Sequence, residues 1–180
     1  MIKKNSYILA ILVIGVVASS CKKEDENSGQ TGGCMDVNAP NYSSAATFDN
    51  GTCEFLYVTD YEVTNYENIN WDLLVNVNAD LYIKVKRQSS SSWEFYSNTI
   101  DNADPNTVHI WSDPNQLQLV NETYEWELVD EDQGIDDPLD PDDAMASGDF
   151  NPVTSGNNGV VVSESSDGLT TVTIRYNLHE

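Results

Sequence analysis

From Glu54 onward the chain breaks into short runs in which apolar and polar residues alternate, and no stretch repeats apolar residues at helical spacing between caps. Leu81-Tyr-Ile-Lys-Val-Lys86 alternates throughout, and residues 55–64 alternate over their second half. Successive side chains of a strand point to opposite faces, so such runs bury one face and wet the other. Residues 93–100, 107–111, 117–120, 124–129, 160–163 and 170–178 continue the series, separated by clusters of Ser, Asn, Asp, Gly and Pro. The four serines at 89–92 predict a hairpin tip. Eight strand candidates predict an all-β fold, an eight-stranded antiparallel sandwich with Greek-key connections. Trp71, Trp93, Trp111 and Trp126 are read as core.

The charge is lopsided. The 180 residues carry 30 Asp and Glu against 8 Lys and Arg, a net charge of -22 and a pI near 4.1. A polyanionic partner finds no basic stripe here, which excludes nucleic acid. With 39% apolar residues, the chain is too hydrophobic for an acidic disordered polymer, so one globular domain with a tail is expected.

The N-terminus has the parts of an export signal: Met1-Ile-Lys-Lys-Asn, an apolar run from Tyr7 to Val17, and Ala18-Ser-Ser before Cys21. Eleven apolar-rich residues are too few to span a bilayer. A Cys directly after Ala-Ser-Ser resembles the lipobox of bacterial lipoproteins, which implies cleavage of residues 1–20 and lipidation of Cys21. Several acyl chains, at about 0.8 kcal/mol per buried methylene, make such an anchor effectively permanent. Residues 21–33 then form a polar, flexible tether, and the mature chain has a charge of -24 once Lys3 and Lys4 are removed. Lys23-Glu-Asp resembles the surface-export signal of lipoproteins in some Gram-negative bacteria, and it also reads as a plain charged linker. The expected location is the outer membrane, lipid-anchored, with the cell surface favoured over the periplasmic leaflet.

If Cys21 carries lipid, Cys34 and Cys53 remain, and an even pair in an exported chain predicts a disulfide worth about 3 kcal/mol. Residues 34–53 resemble a short module of secreted bacterial proteins, matching it at Asp36, Ala39, Asn41, Tyr42, Ala46, Thr47, Asp49, Gly51 and Cys53. Asp36, Asn41 and Asp49 have two readings, a cation site or turns that bond their own backbone.

Candidate chemistry concentrates between Glu122 and Asp149, which hold twelve acids and no base. Two carboxylates about 4 Å apart repel by about 4 kcal/mol at an effective dielectric near 20, so a compact loop here needs a cation or protons, and an open one stays solvated. Oxygen donors in a flexible loop suit Ca²⁺, whereas Zn²⁺ would want His or Cys. Asp130 and Asp132 alternate at a strand end, and Asp142 and Asp143 return after Gly134, Pro138 and Pro141.

These residues resemble the C2 domain, a calcium-dependent lipid-binding β-sandwich. Asp130, Asp132 and Asp143-Ala-Met-Ala are similar to that family's third top loop, and Asp72 followed by Asp80-Leu-Tyr-Ile-Lys-Val85 to its first. Ser97-Asn-Thr-Ile, Asp104-Pro-Asn and Trp111 are similar to the segment between them. The resemblance runs over residues 55–178 within a domain spanning 54–180. It implies calcium as cofactor, held by Asp72, Asp80, Asp130, Asp132 and Asp143, with Asp142 able to replace Asp143. Leu81 stands where the family has Pro and Ala146 where it has Gly. Leu73, Leu74 and Val75 are read as core or an extra strand rather than a membrane-inserting tip, and only Lys84, Lys86 and Arg87 could form a basic cluster.

The function expected is a calcium-dependent module that binds a phospholipid or protein ligand, anchored to the membrane and monomeric. The alternative is a metal-independent envelope adhesion or interaction module with a solvated acidic loop. An EF-hand is disfavoured because Pro141 occupies position 12 from Asp130. No enzyme is expected: His109 and His179 are the only histidines, and no Gly-x-Ser-x-Gly elbow occurs.

Overall fold

Alternation becomes two-faced strand wherever it was read, because the apolar half of each run can be buried only against a second sheet. The computed structural model describes residues 29–67, 78–132 and 142–179. In chain order the strands are β1 (Gly32–Gly33), β2 (Phe48–Asp49), β3 (Phe55–Asn65), β4 (Leu81–Arg87), β5 (Phe95–Tyr96), β6 (His109–Ser112), β7 (Gln118–Leu119), β8 (Tyr124–Asp130), β9 (Asp143–Phe150), β10 (Val160–Glu164) and β11 (Thr171–His179). No helix occurs among the described residues.

One sheet runs β10-β11-β3-β6, with β7 also on β3, and the other runs β5-β4-β8-β9. All their pairings are antiparallel. β6 and β7 are one edge strand with a break. Asp113, 4% exposed, stands at that break and accepts the N–H groups of Asn115, Gln116 and Leu117 at 2.8 to 3.0 Å. Each sheet therefore has four strand positions. The eight expected strands are found, but the count differs in composition: two candidates share one edge, and β9 lies in the stretch read as acidic loop. Its sequence, Asp-Ala-Met-Ala-Ser-Gly-Asp-Phe, has low strand propensity and is recruited by pairing with β8.

Bulges account for the imperfect alternation. The β3–β11 register slips at Thr59, so Leu56 and Val58 face inward before it and Tyr61 and Val63 after it. A second slip leaves Met145 extra on β9, and both Met145 and Ala146 are buried.

The core joins Tyr61, Trp111, Tyr124, Trp126, Leu128 and Ile174 between the sheets, all at most 2% exposed. Trp126 Nε1 donates to Ser163 Oγ at 2.7 Å, and that hydroxyl donates to the Asp149 carbonyl at 2.7 Å. This relay ties β8 and β9 of one sheet to β10 of the other. Trp93 departs from the core reading: it is half-buried on the outer face of β4, and Trp71 lies outside the described residues.

Gly148 is set by the same contact. A Cβ there would stand 2.6 Å from Trp126 Cζ2 and 2.8 Å from the Glu164 carbonyl oxygen. Gly148→Ala is expected to cost about 1 to 3 kcal/mol through overpacking, read as a lower urea midpoint with an unchanged slope. An unshifted midpoint would show that the Trp126 indole yields freely.

Candidate metal centre

Register decides which acids meet. Leu81 of β4 pairs with Asp130 of β8, and Asp130 pairs with Asp143 of β9, so β4 and β9 begin where β8 ends. Asp80, Asp130, Asp132, Asp142 and Asp143 consequently share one end of a sheet. The segment at 99–103 closes over it: Leu81 and Ile100 exchange backbone hydrogen bonds at 2.8 and 3.0 Å, and Thr99 Oγ1 donates to Glu131.

Asp130 is the deepest of the group, 1% exposed, and its Oδ1 accepts the Asp80 N–H at 2.6 Å. Asp80 Oδ1 accepts the Asn102 N–H at 2.6 Å, and the Glu131 N–H donates to the Asp80 carbonyl at 2.8 Å. Asn102 has φ of 50°, a left-handed conformation that Asn tolerates better than most residues. Asp132 is half-buried and Asp143 exposed. Asp142 accepts a hydrogen bond at Oδ2 from the Tyr82 hydroxyl at 3.0 Å. Its buried Oδ1 accepts none from the described residues.

The six candidate ligands are thus only partly gathered. Asp72 lies outside the described residues, as do Asp136, Asp137, Asp140, the Leu73–Val75 run and Cys21. Among the described residues no three His, Cys, Asp or Glu side chains converge closely enough to hold a metal ion. Asp143 and Asp142 are not equivalent, because Asp143 is the cross-strand neighbour of Asp130 while Asp142 is held by Tyr82.

Beyond Lys23 the chain has four basic residues, and each finds its acids on a sheet face. Lys84 pairs with Glu127 at 3.1 Å and Lys86 with Glu125 at 3.2 Å, both directly across from β8. Arg87 bonds Glu94 at 2.8 Å and approaches Glu122 at 3.5 Å, while Arg175 bridges Asp60 and Glu62 at 2.7 and 2.6 Å. Lys84, Lys86 and Arg87 do lie together, but neutralised, which makes them a poor basic patch for anionic lipid.

Two phenols flank the acidic end that sequence reasoning did not single out. Tyr66, buried, donates to the Ala103 carbonyl; burial, then the charges of Asp104 and Asp130, push its pKa up to about 12. Tyr82 is raised further, by burial first and then by its bond to Asp142. Its outward position beside Asp80 in an alternating strand was a legible signal for Tyr82. Nothing in the sequence marked Tyr66.

In the 34–53 module the Cys34–Cys53 disulfide is present. Asp36 Oδ1 accepts the Asn38 N–H and Asp49 Oδ1 the Gly51 N–H, both at 2.9 Å. Asn41 donates to the Thr52 carbonyl at 2.7 Å and accepts the Glu54 N–H at 3.1 Å. Asp36 and Asp49 thus make local turns with their own backbone, while Asn41 ties the 39–42 turn to the segment at 52–54.

No protein-family profile matches the chain, and no curated protein does. Among solved structures it is similar to human GIVD cytosolic phospholipase A2, at 18% identity and a TM-score of 0.50, over 72% of this chain and 16% of that one. It is also similar to a solved C2 domain, at 17% identity, 71% and 99% coverage and a TM-score of 0.46. A C2 domain of plant Extended Synaptotagmin 1 is similar at 14% identity, 71% and 95% coverage and a TM-score of 0.38. The chain spans about a sixth of the phospholipase's length, and at this identity the likeness shows the fold alone. That fold is an all-β antiparallel sandwich of two sheets.

The raised phenols set an alkaline limit. Between the ordinary value near 10 and about 12 for Tyr66, the unfolded chain releases a proton that the folded chain keeps. Its contribution to stability is full below pH 10 and falls as pH rises through that window. Urea midpoints should therefore drop between pH 10 and 12, less steeply in Tyr66→Phe. Equal slopes in the two proteins would remove Tyr66 from the account.

Proposed function

We propose that this chain is a lipid-anchored lipoprotein of the outer membrane, displayed at the cell surface, whose C2-like domain binds calcium at its acidic end and thereby engages a lipid or protein ligand. Residues 1–20 are its signal peptide, Cys21 its lipid attachment point, 21–33 its tether, and 34–53 a disulfide-bracketed spacer before the sandwich at 54–180. It acts as a monomeric binding module without catalytic chemistry.

One observation carries the calcium reading. Asp130 is buried at the end where five aspartates gather, while all four bases beyond Lys23 are engaged on the sheet faces. Burying a carboxylate is costly, and bringing other acids to the same end adds repulsion that a bound cation would offset. The donors are oxygens, which suit Ca²⁺ and its tolerance of irregular six- to eight-fold coordination. Asp80, Asp130, Asp132 and Asp143 would hold the ion with Asp72, and Asp142, with its buried Oδ1, is the alternative to Asp143. Bound calcium would supply fixed positive charge at this end and draw the loops together. It would also lessen the repulsion of a strongly acidic protein from an anionic surface.

The metal-independent reading rests on the carboxylates of the described residues, which do not converge on one point. Melting separates the two. The full protein in detergent micelles should gain roughly 5 to 10 °C in Tm between chelator and Ca²⁺ at 100 times its dissociation constant, where binding adds about 2.7 kcal/mol. Mg²⁺ should do less, and Asp130→Asn with Asp132→Asn should abolish the gain. If calcium leaves Tm unchanged and the double variant melts higher, the loop is solvated and its acids merely repel.

Anchoring has its own test. Cys21→Ser should move the protein from the detergent-rich to the aqueous phase in a phase-separation assay. A variant that still partitions with detergent would rule out Cys21 as the attachment point.

A further inference from the structure

The outer face of the β5-β4-β8-β9 sheet holds an open groove of about 440 Å³, lined by Lys86, Trp93, Glu125, Glu127, Ser147 and Asp149, among others. We propose that this groove binds a neutral glycan, with Trp93 as the stacking platform and the carboxylates and hydroxyls of β8 and β9 as partners for sugar hydroxyls. The site is distinct from the acidic end and does not depend on calcium.

Trp93 is the one tryptophan of the described residues outside the core. Its ring is pinned to the sheet by two ammonium groups, Lys84 Nζ at 4.8 Å and Lys86 Nζ at 5.0 Å from the ring centroid. An aromatic surface held in place before binding loses little freedom when a ligand stacks on it. Stacking on a flat indole favours a ligand with an apolar C–H face, which a pyranose ring presents.

Charge selects among ligands of that shape. Lys84 and Lys86 are already spent on Glu127 and Glu125, at 3.1 and 3.2 Å, and Asp149 adds a carboxylate without adding a base. The groove is therefore slightly acidic, in a chain of net charge -22. A phosphate or sulfate group would meet repulsion here, whereas vicinal hydroxyls find acceptors in the carboxylates and both donors and acceptors in the serines. The wall is built rather than loose: the Ser166 N–H donates to the Ser147 carbonyl at 3.2 Å, and Ser147 lies opposite Glu127 in the β8–β9 register. Ser147 and Asp149 alternate along β9 and point to the same side as Glu125 and Glu127.

The test is affinity electrophoresis of the full protein in non-ionic detergent, through native gels containing soluble β-glucan, mannan, xylan or galactan, with polygalacturonate as the anionic control, in chelator and in Ca²⁺. Retardation by at least one neutral polysaccharide, equal with and without Ca²⁺, is expected. Trp93→Ala should weaken it about tenfold, since the loss of one aromatic stacking contact of about 1.4 kcal/mol is a factor of ten. Asp149→Ala, an exposed position that keeps the fold, should weaken it severalfold and remains informative if Trp93→Ala does not fold. No retardation by any of the neutral polymers overturns the proposal. So does retardation that both variants leave unchanged, or retardation confined to polygalacturonate. Because the acidic end is not involved, loss of the calcium-dependent melting shift would leave this result standing.

Discussion

Asp130 takes the Asp80 N–H at 2.6 Å from a position 1% exposed, and much of the molecule is arranged around that buried carboxylate. It stands where three strands of one sheet meet, so the hydrogen bond sets the point at which β4 begins and β8 gives way to loop. The same alignment brings Asp143 across from Asp130 and leaves Asp142 to Tyr82. Burying a carboxylate among other acids is costly in itself, and this end, not the sheet faces, is where the aspartates at the ends of β4, β8 and β9 gather.

The sheet faces solve the opposite problem. With few bases available, the chain places Lys84 and Lys86 opposite Glu127 and Glu125 and sets Arg175 between Asp60 and Glu62. Exposed pairs of this kind are worth little individually, but they remove like-charge contacts that would oppose sheet pairing. They also change what the outer face can recognise. A patch of two lysines and an arginine reads in sequence as a site for anions, and in the fold each base is paired with an acid while a tryptophan lies against the two lysines.

The two sets of aspartates illustrate how differently the same residue acts. In the disulfide-bracketed module, Asp36 and Asp49 each cap a backbone N–H two residues on, a local geometry that needs no ligand. At the end of the sandwich the aspartates come from the ends of three strands and the residues beside them, which the register of β4, β8 and β9 brings to one place. The hydrogen bonds show the difference.

Much of the fold was legible because burial on a two-sheet core imposes a period of two, and β4, β8 and β11 display it plainly. β9 was not, because Asp-Ala-Met-Ala-Ser-Gly-Asp-Phe has neither the alternation nor the β-branched residues of a strand, and only the partner edge of β8 and the close approach of Trp126 that Gly148 permits make it one. The candidate acids were legible by type and spacing, and the Cys34–Cys53 bond by cysteine parity. What only tertiary structure decided was depth and direction: that Asp130 is buried while Asp143 is exposed, that Tyr66 flanks them, and that Trp93 lies outside the core. Those outcomes depend on bulges and cross-strand register, which arise from packing between segments far apart in the chain and leave no local mark in the sequence.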